Sequence, residues 1–212
     1  MNAGKSAALL QAAWNYQERG LRTLLLTPRL DTRDGIGKMA SRIGLTSEAI
    51  AFSRTDSLLQ MSREEHHIQE ISCMMVDEAP FLTRRQVVEP GEVADSQNIP
   101  VVTYGLRTDF RGDLFEGSAH LLAWADVLNE IKTICHCGKK ATMVLRLDSS
   151  GRAIRSGDQI QIGGHDKYVS VCRRHFKSGI VECNHPQLPF GDLSPVVRPW
   201  IPVRTAVQLP VR

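Results

Sequence analysis

Three residues near the start of the chain, Gly4-Lys5-Ser6, have the types and spacing found at the end of a phosphate-binding loop. In the full pattern, G-x-x-x-x-G-K-[ST], backbone N–H groups hold phosphate oxygens, the lysine reaches the β- and γ-phosphates, and the hydroxyl binds Mg²⁺. The segment from Ser6 to Arg19, "SAALLQAAWNYQER", predicts the helix that such a loop requires, with Gly20 near its C-terminal cap. The alternative is a helix N-cap serine beside a solvated lysine.

The stretch "CMMVDEAPF" supplies two carboxylates directly after an apolar segment. Enzymes with a phosphate-binding loop place the acid that orients Mg²⁺ at the end of such a strand, and Asp77 fits this position. Glu78 is suited to accept a proton from an attacking hydroxyl. As an isolated match, the pair is equally typical of a strand that ends in a solvated turn, but the Gly4-Lys5-Ser6 triplet favours a nucleotide site.

Two short pairs of metal-ligand type, C-x-C and C-x-x-H, lie in the C-terminal half of the chain. They consist of Cys135, Cys137, Cys172 and His175. Zn²⁺ prefers four S and N ligands in a tetrahedron, and such pairs can close a small lobe that is poor in apolar residues. Three further residues could substitute as ligands: His136, Cys183 and His185. Reduced, metal-free thiols are the alternative, and the odd total of five cysteines favours metal over disulfides.

These groups need elements that position them, and short apolar strands alternate with helices along the first part of the chain. The strands are predicted at "RTLLLT", at 71–76 and at 99–106, and the helical stretch before the last of them is interrupted at Pro90-Gly91. This alternation predicts the α/β class, with a parallel sheet covered by helices on both faces.

Changes in residue composition and periodicity divide the chain into three parts. A last amphipathic helix is predicted at 118–131, which closes a nucleotide-binding domain of residues 1–131. Cysteines, glycines and alternating strands follow, so we expect a small zinc-binding, β-rich domain at 132–179. Residues 180–212 are rich in proline and lack periodicity, and an irregular tail is expected there.

Composition limits the classes of partner. The 212 residues carry 26 basic and 23 acidic side chains, a net charge of +3 that gives no general attraction to nucleic acid or to an anionic membrane. The longest apolar runs have the length of strands and are too short to span a bilayer, and no apolar leader precedes them, which favours a cytoplasmic location.

With these motifs in place, the sequence resembles the thymidine kinases shared by many bacteria and the animal cytosol. The resemblance runs from Met1 to about Lys177 and is most specific in "VDEAPFLT", "YGLRTDFRGDLF", "CHCGKKATMVLRLD" and "IGGHDKYVSVCRRH". It implies a P-loop (RecA-like) domain with a small zinc-binding domain, and transfer of the γ-phosphate of ATP to the 5′-hydroxyl of thymidine. It also implies Mg²⁺ with ATP, structural Zn²⁺, a homotetramer, and inhibition by dTTP, without nucleic-acid or membrane partners.

The resemblance also implies roles for individual residues. Glu78 matches the catalytic base. The positions that bind ATP and its phosphates are Gly4, Lys5, Ser6, Asp31, Arg33 and Asp77. The predicted thymidine pocket consists of Phe81, Leu106, Phe110, Ile162, Gly163, Gly164 and Tyr168, the last four in or beside a lasso-like segment that closes over the base through backbone contacts. The family's zinc ligands correspond to Cys135, Cys137, Cys172 and His175 of this chain.

The sequence departs from the family pattern at three places. The segment that would supply the first strand and the leading part of the phosphate loop is expected to be missing, which would reduce activity. Pro80 stands where the family usually has glutamine, and it removes a backbone donor beside Glu78. The tail after Lys177 shows no resemblance. These departures motivate an alternative, a catalytically silent, zinc-bearing nucleoside- or nucleotide-binding protein of the same fold. A zinc-ribbon protein that binds nucleic acid is a third and weaker hypothesis, because the zinc-binding segment lacks a stripe of basic and aromatic residues.

Overall fold

The computed structural model describes residues 3–33, 35–159 and 167–181, all within one compact unit that ends at Val181. Its helices are α1 (Lys5–Gln17), α2 (Leu58–Ile68), α3 (Arg84–Gln97), α4 (Glu116–Trp124) and α5 (Arg173–Ser178). Its strands are β1 (Thr23–Pro28), β2 (Lys38–Ala40), β3 (Thr46–Glu48), β4 (Ile50–Phe52), β5 (Cys73–Val76), β6 (Val101–Thr103), β7 (Thr133–Ile134), β8 (Lys140–Ala141), β9 (Met143–Leu147), β10 (Ala153–Ile154) and β11 (Lys167–Val171). A short 3₁₀ helix covers Ala79–Phe81.

The main sheet has the order β4-β1-β5-β6, and every neighbouring pair is parallel. Strands β1 and β5 pair in register from Thr23 opposite Cys73 to Leu26 opposite Val76. Their carboxyl ends therefore lie side by side, and the loops that leave them meet at the same edge of the sheet. Within the described residues, the predicted α/β class and parallel sheet are confirmed.

Alternate residues of the central strands belong to two different cores. On one face, Met74 and Val76 pack with apolar residues of α2, α3 and α4. On the other face, Cys73 and Met75 pack against Leu9 and other apolar residues of α1. This alternation follows from the period of two in a strand, and it confirms that helices cover both faces.

The predicted interruption of a helix at Pro90-Gly91 is wrong. Helix α3 continues through Pro90 and begins at a capping box between Thr83 and Gln86. A proline inside a helix removes one backbone hydrogen bond. Here Pro90 is buried, as is Val93 one turn later, and apolar burial of this helix face outweighs the local cost.

Two further predictions of element bounds differ from the structure. The strand predicted at 99–106 is confined to Val101–Thr103, and the helix predicted at 118–131 ends at Trp124. Ala125 is extended, with ψ 132°, and the Val127 and Leu128 side chains that follow are mostly exposed. Val127 and Leu128 therefore do not continue the helix face through which Leu121 packs against the core.

The part of the unit from Thr133 to Val171 contains small antiparallel sheets, which agrees with the β-rich structure predicted there. Strands β7 and β8 form a hairpin, and β9 pairs with both β10 and β11. Their core includes two of the predicted metal ligands, Cys135 and Cys172. The domain boundary near 131 and the irregular tail at 180–212 stay predictions, since all but the first two residues of that tail lie outside the described residues. Among the helices that the structure describes, none has the length and apolar character needed to cross a membrane.

Candidate functional site

Helix α1 begins at the predicted phosphate loop. Gly4 has the left-handed backbone conformation, with φ 82° and ψ 22°, which glycine adopts without a Cβ penalty. Its carbonyl accepts a hydrogen bond from the Ala8 N–H at 2.8 Å. Among the described residues no side chain caps this helix, so its first N–H groups have no side-chain acceptor, as an anion site at a helix N-terminus requires.

Ser6 and Asp77 meet although they are far apart in the sequence. The Ser6 hydroxyl donates to Asp77 Oδ2 at 2.9 Å, and the Glu78 N–H donates to Asp77 Oδ1 at 2.8 Å. Burial at the end of β5 raises the pKa of the Asp77 carboxyl, and the neighbouring charge of Glu78 adds to this. These hydrogen bonds and the charge of Lys5 act in the opposite direction. The structure thus brings together the hydroxyl and the carboxylate that were predicted to bind Mg²⁺.

Glu78 has a strained backbone, and its carboxylate contacts the Arg33 guanidinium. Its φ of 45° and ψ of 41° are left-handed, a conformation that costs a non-glycine residue about 1 kcal/mol or more. The side chain is largely buried, and its Oε1 accepts a hydrogen bond from Arg33 Nη2 at 2.7 Å. Such strain is typical of functional sites, where a backbone turn aims a side chain.

Asp31 holds the same arginine from the other side. Arg33 Nε donates to Asp31 Oδ1 and Nη2 to Oδ2, both at 2.7 Å, in a bidentate pair. Burial opposes ionisation of Asp31, but the hydrogen bonds and charge of Arg33 outweigh it and hold the pKa of the carboxyl below its usual range. The bond to Asp31 in turn raises the pKa of Arg33, so the guanidinium stays charged.

The 3₁₀ helix after Glu78 packs tightly against two glycines. A Cβ on Gly105 would lie 2.6 Å from Pro80 Cδ, and one on Gly117 would lie 2.3 Å from the Ala79 carbonyl oxygen. Pro80 occupies the first turn of this helix, where an N–H has no intrahelical partner. The donor that Pro80 lacks is therefore not required by the 3₁₀ helix, and this departure from the family pattern fits the local backbone.

Four members of the predicted thymidine pocket lie within the described residues: Phe81, Leu106, Phe110 and Tyr168. Phe81 is half-buried and meets Phe115 edge-to-face, with ring centroids 6.1 Å apart. Phe110 is only 1% exposed and lies under the Arg146 guanidinium, 5.2 Å from the ring centroid. Tyr168 pairs directly with Arg146 across β11 and β9. Ile162, Gly163 and Gly164 lie outside the described residues.

Leu106 lines a cavity of about 520 Å³ between β6, the chain after α4 and the small sheets. Ala3 and Lys5 contribute to the same wall, whereas Glu78, Phe81, Phe110 and Tyr168 are not among its described lining residues. The cavity thus joins one predicted pocket residue to the phosphate loop but does not contain the predicted base.

The four predicted zinc ligands converge on one point. Their ligand atoms all lie within 4.8 Å of one another. His175 Nδ1 is 3.3 Å from Cys135 Sγ and 3.5 Å from Cys172 Sγ, and Cys137 Sγ is 3.9 Å from Cys172 Sγ. A zinc tetrahedron with Zn–S near 2.3 Å and Zn–N near 2.0–2.1 Å has edges of about 3.5–3.8 Å. The residues present therefore fit a zinc ion in donor type, number and spacing.

Local backbone structure presents these ligands. Cys135 and Cys137 lie in the turn of the β7–β8 hairpin, where Gly138 is left-handed with φ 78°. Cys172 is the N-cap of α5. The backbone N–H of His175 lowers the pKa of the Cys172 thiol, whereas burial raises the pKa of the Cys135 thiol. His136 stacks on the His175 ring, with centroids 4.2 Å apart, and is not part of the cluster; Cys183 and His185 lie outside the described residues.

Comparisons with known proteins agree with this geometry. The family model described as "Thymidine kinase" matches residues 1–176. The chain belongs to the thymidine kinase family. It is 58% identical over 192 residues to a thymidine kinase of Rhodopirellula baltica, a match that covers 91% of each chain. It is also 58% identical over 180 residues to thymidine kinase of Escherichia coli (strain K12), covering 85% of this chain and 88% of that one.

Membership of the thymidine kinase family confirms the resemblance identified in the motifs. A match of 192 residues extends past Lys177, so part of the tail aligns with the Rhodopirellula relative, whereas the family model ends at residue 176. Two buried residues next to Phe110, Arg146 over its ring and Asp109 before it in the chain, were not predicted as site residues from the sequence. The acidic residues that flank Phe110 in "TDFRGD" were the available signal, but the pattern does not reveal which partners they reach.

Proposed function

We propose that this protein transfers the γ-phosphate of ATP to the 5′-hydroxyl of thymidine. The observation that carries the proposal is the convergence of Ser6, Asp77 and Glu78 beside the N-terminus of α1. Membership of a family whose named relatives are thymidine kinases supports the choice of acceptor. The alternative is a protein that binds the nucleoside but does not phosphorylate it. Pro80, which partly motivated this alternative, fits its 3₁₀ helix and so does not favour it.

In this proposal each side chain has one task. Lys5 and the N–H groups of α1 hold phosphate oxygens, and Ser6 with Asp77 would hold Mg²⁺, which supplies charge neutralisation when it is bound with ATP. Glu78 accepts the proton of the attacking hydroxyl. Arg33, which already contacts Glu78, stabilises negative charge on the transferred group. Asp31 holds the Arg33 guanidinium in orientation through two hydrogen bonds.

The acceptor pocket in this proposal contains Phe81, Leu106, Phe110 and Tyr168, together with Ile162, Gly163 and Gly164. Apolar and aromatic side chains exclude water from the flat base, which protects phosphoryl transfer from hydrolysis. Zinc bound by the cluster would be structural, because all four positions of its tetrahedron are occupied by protein ligands. The family resemblance adds a homotetramer, inhibition by dTTP and a cytoplasmic location to the proposal.

A nucleoside panel tests the proposed activity. The purified protein is incubated with ATP and Mg²⁺ and with thymidine, cytidine or adenosine, and nucleoside monophosphate is measured. We expect dTMP to form much faster than the other products. Equal rates with all three nucleosides would contradict the acceptor, and tight thymidine binding without any product would support the silent binding protein.

A further inference from the structure

The turn at 108–114 is closed by its own backbone. Thr108 and Leu114 form an antiparallel bridge, and the Asp109 N–H donates to the Asp113 carbonyl at 2.9 Å. Gly112 is left-handed with φ 95°, and its N–H returns to the Asp109 carbonyl at 3.2 Å. This small loop carries the buried Phe110 ring.

At the centre of the turn, the Asp109 carboxylate is buried and fully engaged. Its Oδ1 accepts from the Arg111 N–H at 2.8 Å and the Asp113 N–H at 3.0 Å. Its Oδ2 accepts from Arg111 Nε and from Gln159 Nε2, each at 3.0 Å. Burial opposes ionisation, but hydrogen bonds from Gln159, from the turn N–H groups and from Arg111 hold the pKa of Asp109 below its usual range. A buried carboxylate with four donors is costly to disturb.

Gln159 connects this turn to the part of the chain that follows β10. Its side-chain amide donates both to Asp109 Oδ2 and, at 3.2 Å, to the Leu114 carbonyl. The turn also approaches the small sheet and the metal-binding helix: a Cβ on Gly112 would lie 3.4 Å from Met143 of β9 and 3.4 Å from Phe176 of α5. The turn that carries Phe110 is thus held by contacts from both parts of the unit.

We propose that Asp109 is a positioning residue for the nucleoside, which acts by fixing Phe110 through the hydrogen bond that it accepts from Gln159. The inference rests on the proposed function, because it takes Phe110 to be part of the thymidine pocket. Asp109 lies next to Phe110 in the turn, and its link to Gln159 ties that turn to the chain beyond β10. A loss of this link would let the ring move, and would weaken thymidine binding without changing the phosphate loop or Glu78.

A double-mutant cycle on Asp109 and Gln159 tests this inference in the full protein. Gln159→Ala removes one half-buried amide and leaves Arg111 on the carboxylate, so the fold should persist. We expect it to raise the KM for thymidine about tenfold, the effect of one hydrogen bond to a buried charge, with the KM for ATP and kcat changed by less than about twofold. Asp109→Asn should act similarly, and the double variant should be no worse than the more impaired single variant.

Asp113→Asn is the matched control. Asp113 also pairs with Arg111, at 3.4 Å, but its side chain is 67% exposed, so we expect all kinetic constants to stay unchanged. An unchanged thymidine KM in Gln159→Ala, or effects of the two substitutions that multiply in the double variant, would overturn the inference and leave the proposed function standing. Parallel losses in kcat and in both KM values would mean a general structural role and would also overturn it. A wild type that phosphorylates no thymidine would overturn the proposed function and this inference together.

Discussion

Arg33 donates to Glu78 Oε1 at 2.7 Å, although the two residues lie 45 positions apart in the chain. The contact forms because Arg33 follows β1 and Glu78 follows β5, and these strands are parallel neighbours in the sheet. One guanidinium, oriented by Asp31, thus lies against the carboxylate proposed as the base.

The first prediction concerns this arginine. Arg33→Gln should lower kcat for thymidine phosphorylation by about 10²-fold, the loss typical of one group that stabilises transition-state charge. Arg33→Lys should recover only part of the activity, because an ammonium cannot make the bidentate contact with Asp31. Arg42→Gln, at an exposed position in the β2–β3 hairpin, is the control. Equal activities of the Arg33 and Arg42 variants would remove the role assigned to Arg33.

The second prediction follows from the raised pKa of Asp77. The folded protein binds this proton more tightly than the unfolded chain does, so ionised Asp77 costs stability once the pH exceeds the unfolded pKa. Asp77→Asn should therefore raise the free energy of unfolding at pH 7 while weakening the Mg²⁺ dependence of turnover. The gain should shrink as the pH falls through the raised folded-state pKa and should be lost below about 3.9, where the wild-type carboxyl is protonated in both states. Urea unfolding without Mg²⁺ at several pH values measures it, and a less stable variant at pH 7 would contradict the argument.

The metal cluster gives a third prediction. Purified protein should contain about one zinc per chain, and Cys172→Ser should lose the metal and expose the β7–β11 region to proteases, because structural zinc contributes folding energy. Cys73→Ala is the control, since that cysteine is buried in the main sheet away from the cluster. Zinc content near zero in reduced, folded wild-type protein would count against the site.

A fourth prediction tests the packing beside Glu78. Gly117→Ala would place a Cβ 2.3 Å from the Ala79 carbonyl oxygen, so the backbone must shift. We expect a loss of roughly 1–3 kcal/mol in the free energy of unfolding, as for other overpacked sites. Gly91→Ala in α3 meets no atom within 4 Å and should be neutral or slightly stabilising. Thermal unfolding of both variants separates the steric effect from the general effect of replacing glycine.

Local pattern was enough to predict the parallel sheet and the positions of Asp77 and Cys135. Apolar strands that end in acids, and ligand pairs at short spacing, are properties of contiguous sequence. The continuation of α3 through Pro90 could not be predicted from contiguous sequence, because the burial of Pro90 depends on how the helix packs. The bond between Asp109 and Gln159 was also missed, since it depends on how the turn at 108–114 folds against a segment 50 residues further along the chain.

Whether Glu78 is the base for phosphoryl transfer to thymidine is decided by one side-by-side measurement. Glu78→Gln, Glu48→Gln at an exposed position and the wild type are compared for thymidine binding and for the rate of dTMP formation from ATP. A catalytic base at this position predicts that Glu78→Gln binds thymidine nearly as the wild type does but loses about 10²–10⁴-fold in kcat, while Glu48→Gln is unaffected. A Glu78→Gln enzyme that turns over at the wild-type rate would contradict it.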